Sequence, residues 1–527
     1  MKRMMMIAAS AILLSACNGT DPDDIGPDVG GQSLREVSHD MIVLGEQLDD
    51  PYSLKNMKDA VTKAYPAKGR EVEIKPTDVY MRFLPKNENE YDRLVDAGLH
   101  LLDHPVDYRI IRDGDYYHDP SLDESRITWQ YAVAPAGFKC PDGIESELLD
   151  ECFIPDNASG TRAGDGIDWN LVERTAFELT GNADMLVPAT KTSASPSGRI
   201  TLVDADHNGG APVGLAGVMI SCNTFVKFAT TYTDEEGYYQ FEKKFSSDVR
   251  YRIVFKNQKS FAIGFNLLLV PASMSTMGTN SSEGVDLVID PSSDHKLFAR
   301  SVVNNAAYEY WQRCNDDEDQ LPQPPYQTRI WLFDGMGSSS TPMLQQGPVI
   351  EGTLLSKYLG GFKELIQTFM PDITIGLSGA DTYKSIYSLT VHELAHASHF
   401  QQVGTDYWNK YISFIIESFV GSMGAVYGVG TEKDSGYCEL GEMWAYYLEN
   451  MMLRNRYGDD VVVQGTAHWF SPQILMYLDE RGLTASKIFA AFTSDVINVS
   501  QLREKLAELY PTYESLINQA FDRYGKQ

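Results

Sequence analysis

The sequence predicts a multidomain α+β protein: an α+β N-terminal domain over residues 33–190, a β-sandwich over 197–291, and a mostly helical domain with a small sheet over 292–527. Three observations lead there. A chain of 527 residues, 43% of them hydrophobic and with ordinary glycine and proline content, can bury several cores. Strand-like alternation recurs at short spacing after a Ser/Pro/Gly-rich linker, Thr192–Gly198, and runs to about Pro291. From about Ser292 onward helical periodicity dominates.

At the N-terminus, Lys2 and Arg3 precede a largely apolar run, Met4–Leu14, followed by Ser15-Ala16-Cys17, which is the layout of a cleaved export signal. Eleven residues are too few to span a bilayer as a helix. Leu14-Ser15-Ala16-Cys17 also resembles the bacterial lipobox, in which cleavage precedes the cysteine and its thiol is lipidated. That resemblance implies a signal peptide over 1–17 and a lipid anchor on Cys17. At about 0.8 kcal/mol per buried methylene, several acyl chains hold a protein to a membrane without any spanning helix. Asn18 is not the aspartate that this sorting pattern associates with inner-membrane retention, so the expected location is the cell envelope, at the outer membrane, with the leaflet left open.

Residues 18–32 are rich in Gly, Asp and Pro and bury too little to offset their ordering entropy, which predicts a flexible tether. In 33–190, Val79–Leu84 and Trp129–Val133 alternate like strands, Glu90–Leu102 reads as an amphipathic helix, and Asp103–Tyr108 and Asp113–Tyr117 read as turns. Five cysteines follow Cys17 with no paired metal-type spacing. Cys140 and Cys152 are close enough to bridge in an oxidising compartment, or to stay buried thiols.

In the middle domain, Gly198–Leu202, Leu215–Ile220 and the hairpin Thr233-Asp-Glu-Glu-Gly-Tyr-Tyr-Gln-Phe241 resemble the carboxypeptidase regulatory-like sandwich family. The resemblance covers about ninety residues of 197–291 and implies a non-catalytic spacer or docking module. Asp234 and Gly237 suit the turn between two strands.

Chemistry concentrates further on. Asp372–Gly376 reads as a strand that could align an extended substrate, and Asp381–Val403 as a helix opened by Ser378–Asp381 and stopped by Gly404. On that helix stands His392-Glu393-Leu394-Ala395-His396. Four residues apart, the imidazoles lie about 40° apart around the axis and one turn along it, so both can reach one zinc ion. Glu393 is then beside the metal without ligating it, placed to take a proton from the attacking water and pass it to the leaving amine. His399 lies about 10 Å along the helix from His392, too far to share one zinc with it.

The motif and its context, over about Pro371–Tyr457, resemble the zincin metallopeptidases. Gln402, where metzincins carry histidine, excludes that branch. In the gluzincin branch the third ligand is a glutamate on a later helix with a small residue one turn along, and Glu442-Met443-Trp444-Ala445 matches it. The resemblance therefore implies His392, His396 and Glu442 as ligands of Zn2+, with Glu439 the competitor for the third place, and Glu393 as general base. An intervening helix from Trp408 to about Val426 fills the gap. For the donor facing the developing oxyanion, Tyr446, Tyr447, Tyr457 and His468 are near in sequence; Tyr446, one turn after Glu442, is taken as the catalytic candidate.

Lys plus Arg total 44 against 73 for Asp plus Glu, a formal charge of -29 that repels phosphate backbones and argues against nucleic acid as a partner. The function expected is that of a membrane-anchored zinc metallopeptidase acting on a protein or peptide substrate. A zinc amidohydrolase acting on a non-protein amide, and a non-catalytic adhesin or glycan-binding lipoprotein, are the alternatives. Whether the N-terminal domain covers the cleft as inhibitory prosegments do, and the oligomeric state, stay open.

Overall fold

A computed structural model describes residues 41–67, 72–123, 126–158, 166–188, 193–265, 270–316, 320–347, 369–422 and 427–525. The export signal, Cys17 and the tether lie outside the described residues. The architecture is mixed α/β, with four sheets and ten α-helices among the described residues. None of those helices is long and apolar enough to cross a membrane.

The N-terminal region contains β1 (Val43–Gln47), α1 (Leu54–Ala64), β2 (Asp78–Leu84), α2 (Glu88–Asp96), β3 (Tyr108–Arg112), β4 (Gln130–Pro135), β5 (Glu145–Cys152) and α3 (Trp169–Leu179). β1 pairs with β3, and β2 is the centre of an antiparallel sheet β4-β2-β5. α2 ends well before Leu102. Gly98 takes a φ of 85°, which ends the helix and lets Leu99, Leu101 and Leu102 turn into the core. Asp103 and His104 are not surface turn residues either. Both are buried, Asp103 Oδ1 lies 2.6 Å from His104 Nδ1, and the Arg252 guanidinium lies 3.2 Å from His104 Nε2.

Next come β6 (Ser197–Leu202), β7 (Val213–Gly214), β8 (Val218–Thr224), β9 (Lys227–Tyr232), β10 (Tyr238–Gln240), β11 (Val249–Asn257), β12 (Phe261–Phe265), β13 (Met274–Asn280) and β14 (Leu287–Ile289). β6, β7, β10 and β14 form a small sheet, and β9-β8-β11-β12 belong to a larger one, with β13 also paired to β11. The turn between β9 and β10 carries the chain from one sheet to the other. Asp234 Oδ1 accepts the Tyr238 N–H at 2.8 Å. Gly237, at φ 83°, has no room for a side chain, since a Cβ would stand 2.0 Å from the Ile200 carbonyl oxygen.

The larger sheet does not stop at Pro291. After the buried helix α4 (His295–Cys314), β15 (Thr328–Phe333) pairs in parallel with β12, and β16 (Ile373–Gly376) in parallel with β15. Parallel neighbours need a long crossover, and α4 forms part of it. Segments 197–291 and 292–527 thus share one sheet and one core rather than meeting at a boundary. The alternation along β15 divides the two faces. Ile330 and Leu332 enter the core shared with α4 and the motif helix, whereas Trp331 and Phe333 pack with Phe83, Tyr91 and Leu94 of the N-terminal region. The sheet therefore stands between those N-terminal residues and the motif helix.

The remainder is helical: α5 (Tyr383–Ser422), α6 (Ser435–Tyr457), α7 (Gln473–Asp479), α8 (Ala485–Phe489), α9 (Val499–Leu509) and α10 (Glu514–Tyr524). α5 opens on reciprocal bonds between the Thr382 and Ser385 backbone N–H groups and each other's hydroxyls. Its course breaks at Gly404 (φ 80°, ψ 178°), a conformation essentially restricted to glycine. Cys140, Cys152, Cys222, Cys314 and Cys438 are free thiols.

Candidate metal centre

The motif half of α5 is buried nearly all round: Ile386, Tyr387, Val391, Leu394, Ala395 and Ala397 are fully enclosed. Within that apolar setting His392, His396 and Glu442 converge, the last from α6, with ligand atoms all within 4.8 Å of one another. His392 Nε2 and His396 Nε2 each stand 3.5 Å from a Glu442 carboxylate oxygen. Zinc bonds of about 2.0–2.1 Å at tetrahedral angles set donor atoms about 3.3–3.4 Å apart, close to the two 3.5 Å separations from Glu442. His392 Nε2 is buried and faces the Glu442 carboxylate at 3.5 Å, at the limit of hydrogen-bond reach. Glu439, one turn earlier and half-buried, is not in the cluster.

Two further residues hydrogen-bond to the cluster. Glu449, two turns beyond Glu442 on α6, lies 2.9 Å from His392 Nδ1 through Oε2 and accepts the Ser388 hydroxyl on Oε1. A proton held on Nδ1 by a carboxylate leaves Nε2 free to ligate. Tyr411, beyond the Gly404 break, donates its hydroxyl to Glu442 Oε1 at 2.6 Å. Burial pulls the His392 imidazole down, but its hydrogen bonds to Glu442 and Glu449 outweigh that and hold it at about 10. Burial pushes the Glu442 carboxyl up, but the His396 charge and hydrogen bonds from both histidines outweigh it and bring it to about 2. The cluster is thus a hydrogen-bonded ion pair, and a metal bound there would have to displace its proton.

Glu393 is fully buried, and Thr341 donates its hydroxyl to Oε2 at 2.7 Å. Thr341 follows β15, and residues 340–344 lie along the outer edge of β16. Ser340 and Thr374 exchange backbone bonds of 2.9 and 2.8 Å, and the Met343 and Leu344 N–H groups donate to the carbonyls of Asp372 and Pro371. The strand expected to align an extended substrate is present, but the chain itself covers that edge. Asp372 pins the cover: its carboxylate accepts the N–H groups of Arg329, Gln345 and Gln346 at 3.1–3.2 Å, and burial, opposed by those bonds, pushes it up to about 6.

Of the oxyanion candidates, Tyr446 has its ring 4.5 Å from that of His392, edge-on, and Gly465 packs so closely on its face that a Cβ would stand 2.4 Å from the ring. His468 stacks on Tyr446 at 6.1 Å and keeps a partly exposed edge. Burial lowers its pKa, with Glu442 and His392 contributing in opposite senses. Tyr447 is core, packed on Trp444, and the Tyr457 hydroxyl is turned to Asp204 at 3.0 Å. His399 sits among Tyr407, Trp408 and Phe492 with neither ring nitrogen hydrogen-bonded, a packing residue rather than a ligand.

The motif spacing points to His392, Glu393 and His396, and the Glu-x-x-Ala pattern to Glu442. Glu449, Ser388, Tyr411 and Thr341 were missed. Glu449 left a signal, seven residues after Glu442 and so on the same helix face. Thr341 left none, because a coil segment brings it in. No protein-family model matches the chain, and no curated protein is similar to it in sequence.

Proposed function

We propose that the chain is a zinc-dependent peptidase, held at the outer membrane of the cell envelope through lipidated Cys17, with strands of 197–291 built into the sheet that backs the motif helix. The observation that carries the reading is the buried set His392, His396 and Glu442 with Glu393 on the next residue of the same helix. Zinc, when bound there, supplies a Lewis acid that polarises the scissile carbonyl and acidifies water. Glu393 takes the proton of the attacking water and returns it to the leaving amine. Thr341 keeps one carboxylate oxygen of Glu393 fixed, so the base does not rotate between the two transfers. Tyr446 or His468 donates to the developing oxyanion.

The covered edge of β16 favours a second reading, a hydrolase of compact, non-extended amides such as those of peptidoglycan, since an extended peptide cannot join β16 at the edge that residues 340–344 occupy. One assay addresses both. Mature protein loaded with zinc is offered mixed-sequence fluorogenic peptides and, separately, a muropeptide. Hydrolysis that disappears in Glu393→Gln while zinc is retained supports the enzyme, and the substrate consumed selects the reading. Equal turnover by wild type and Glu393→Gln overturns both.

A further inference from the structure

Tyr411 performs no chemistry in the account above, yet its hydroxyl is buried and reaches the third ligand. Resting on the zinc reading, we propose that Tyr411 is the residue that positions Glu442 for the metal, and that the helical segment after Gly404 exists to hold both Glu442 and Glu393. Four observations lead there. The Tyr411 hydroxyl donates to Glu442 Oε1 at 2.6 Å, and the residue is 2% exposed. Its ring lies 5.6 Å from that of His396 and 4.6 Å from that of Trp408, so it is wedged between a ligand and an indole. The residue before Glu442 is glycine, and a Cβ on Gly441 would come within 3.3 Å of the Tyr411 ring. The Trp408 indole N–H donates to the Thr341 carbonyl at 2.9 Å, while the Thr341 hydroxyl donates to Glu393 Oε2.

One helical segment thus bonds to the third ligand through Tyr411 and, through Trp408 and Thr341, to the base. Gly404 makes this possible. Its φ of 80° and ψ of 178° turn the chain off the motif helix and bring residues 408 and 411 back over the cluster. A neutral donor suits the task, since it fixes a carboxylate without a positive charge that would compete with the metal for that carboxylate and repel the metal.

The test compares zinc affinity, by chelator competition, and thermal stability of the metal-stripped form for wild type, Tyr411→Phe, Gly441→Ala and a control, Tyr407→Phe. The control removes another buried hydroxyl, one with no hydrogen-bond partner. Losing an outer partner of a ligand weakens binding about 10- to 100-fold, so Tyr411→Phe is expected in that range, Gly441→Ala in the same direction, and Tyr407→Phe within about twofold of wild type. If Tyr411 only packs, Tyr411→Phe changes the stability of the stripped form and leaves the affinity alone, which overturns the proposal. Wild-type affinity in both Tyr411→Phe and Gly441→Ala overturns it too, with the zinc reading intact. A wild type that takes up no zinc overturns both.

Discussion

Replacing Glu449 by glutamine removes one charge from the site and almost no volume. The residue is 6% exposed, and its carboxylate lies 2.9 Å from His392 Nδ1. A hydrogen bond to a charged partner contributes about 1.5–3 kcal/mol. Glutamine keeps a neutral hydrogen bond of about 0.5–1.5 kcal/mol, so the net loss is about 1–1.5 kcal/mol, which at about 1.4 kcal/mol per factor of ten is about 5- to 12-fold in zinc affinity. Glutamine still offers an acceptor to Nδ1, so the ring keeps its orientation and the loss reports the charge. The assay is chelator competition on mature protein, with Glu439→Gln as the control in which zinc affinity does not change. Glu449→Gln binding zinc as tightly as wild type would refute the orienting role. A loss of affinity in Glu439→Gln equal to that in Glu442→Gln would refute the assignment of the third ligand.

Two further outcomes follow from the buried histidines. Burial pulls His399 down to about 3, below its unfolded value of 6.5, so the native state binds fewer protons and stability is lost as pH falls from 6.5 toward 3. His399→Phe should make acid unfolding shallower over that range and leave zinc content unchanged, whereas loss of zinc would contradict the packing role. In metal-stripped protein His392 is raised to about 10, so its contribution is complete below 6.5 and is lost as pH rises through 10; Glu442, depressed to about 2, contributes above 4.5 and loses that only as pH falls through 2. Calorimetry should therefore show the stripped protein losing stability from pH 6.5 to 10, and the zinc-loaded protein resisting, because zinc takes the neutral imidazole. A stripped form whose stability is flat across that interval would contradict the ion pair.

What was legible in the sequence is what local chemistry dictates. The motif helix, its stop at Gly404 and the helix beyond were readable because a periodic apolar pattern and a glycine are local signals. β2, β4 and β16 were readable from alternation, and Glu442 from its spacing to Ala445. Pairing between distant strands was not. The parallel ladder from β12 to β15 joins residues more than sixty apart in sequence, and nothing in Phe261–Phe265 marks its partner, so the region 197–291 looked self-contained. The cover on β16 escaped for the same reason. Ser338–Thr341 is a run of hydroxyl residues that reads as exposed loop, yet it is buried because Thr374, the Gly376 N–H and Glu393 satisfy its polar atoms.

The central claim is that His392, His396 and Glu442 hold zinc. The direct test is elemental analysis of metal per chain on protein lacking residues 1–17, purified without chelators, for wild type, His392→Ala, Glu442→Ala and Glu393→Gln. The account predicts a single zinc ion in wild type and in Glu393→Gln, and its loss in the two ligand variants. A wild type free of zinc, or ligand variants that retain it, would contradict the account.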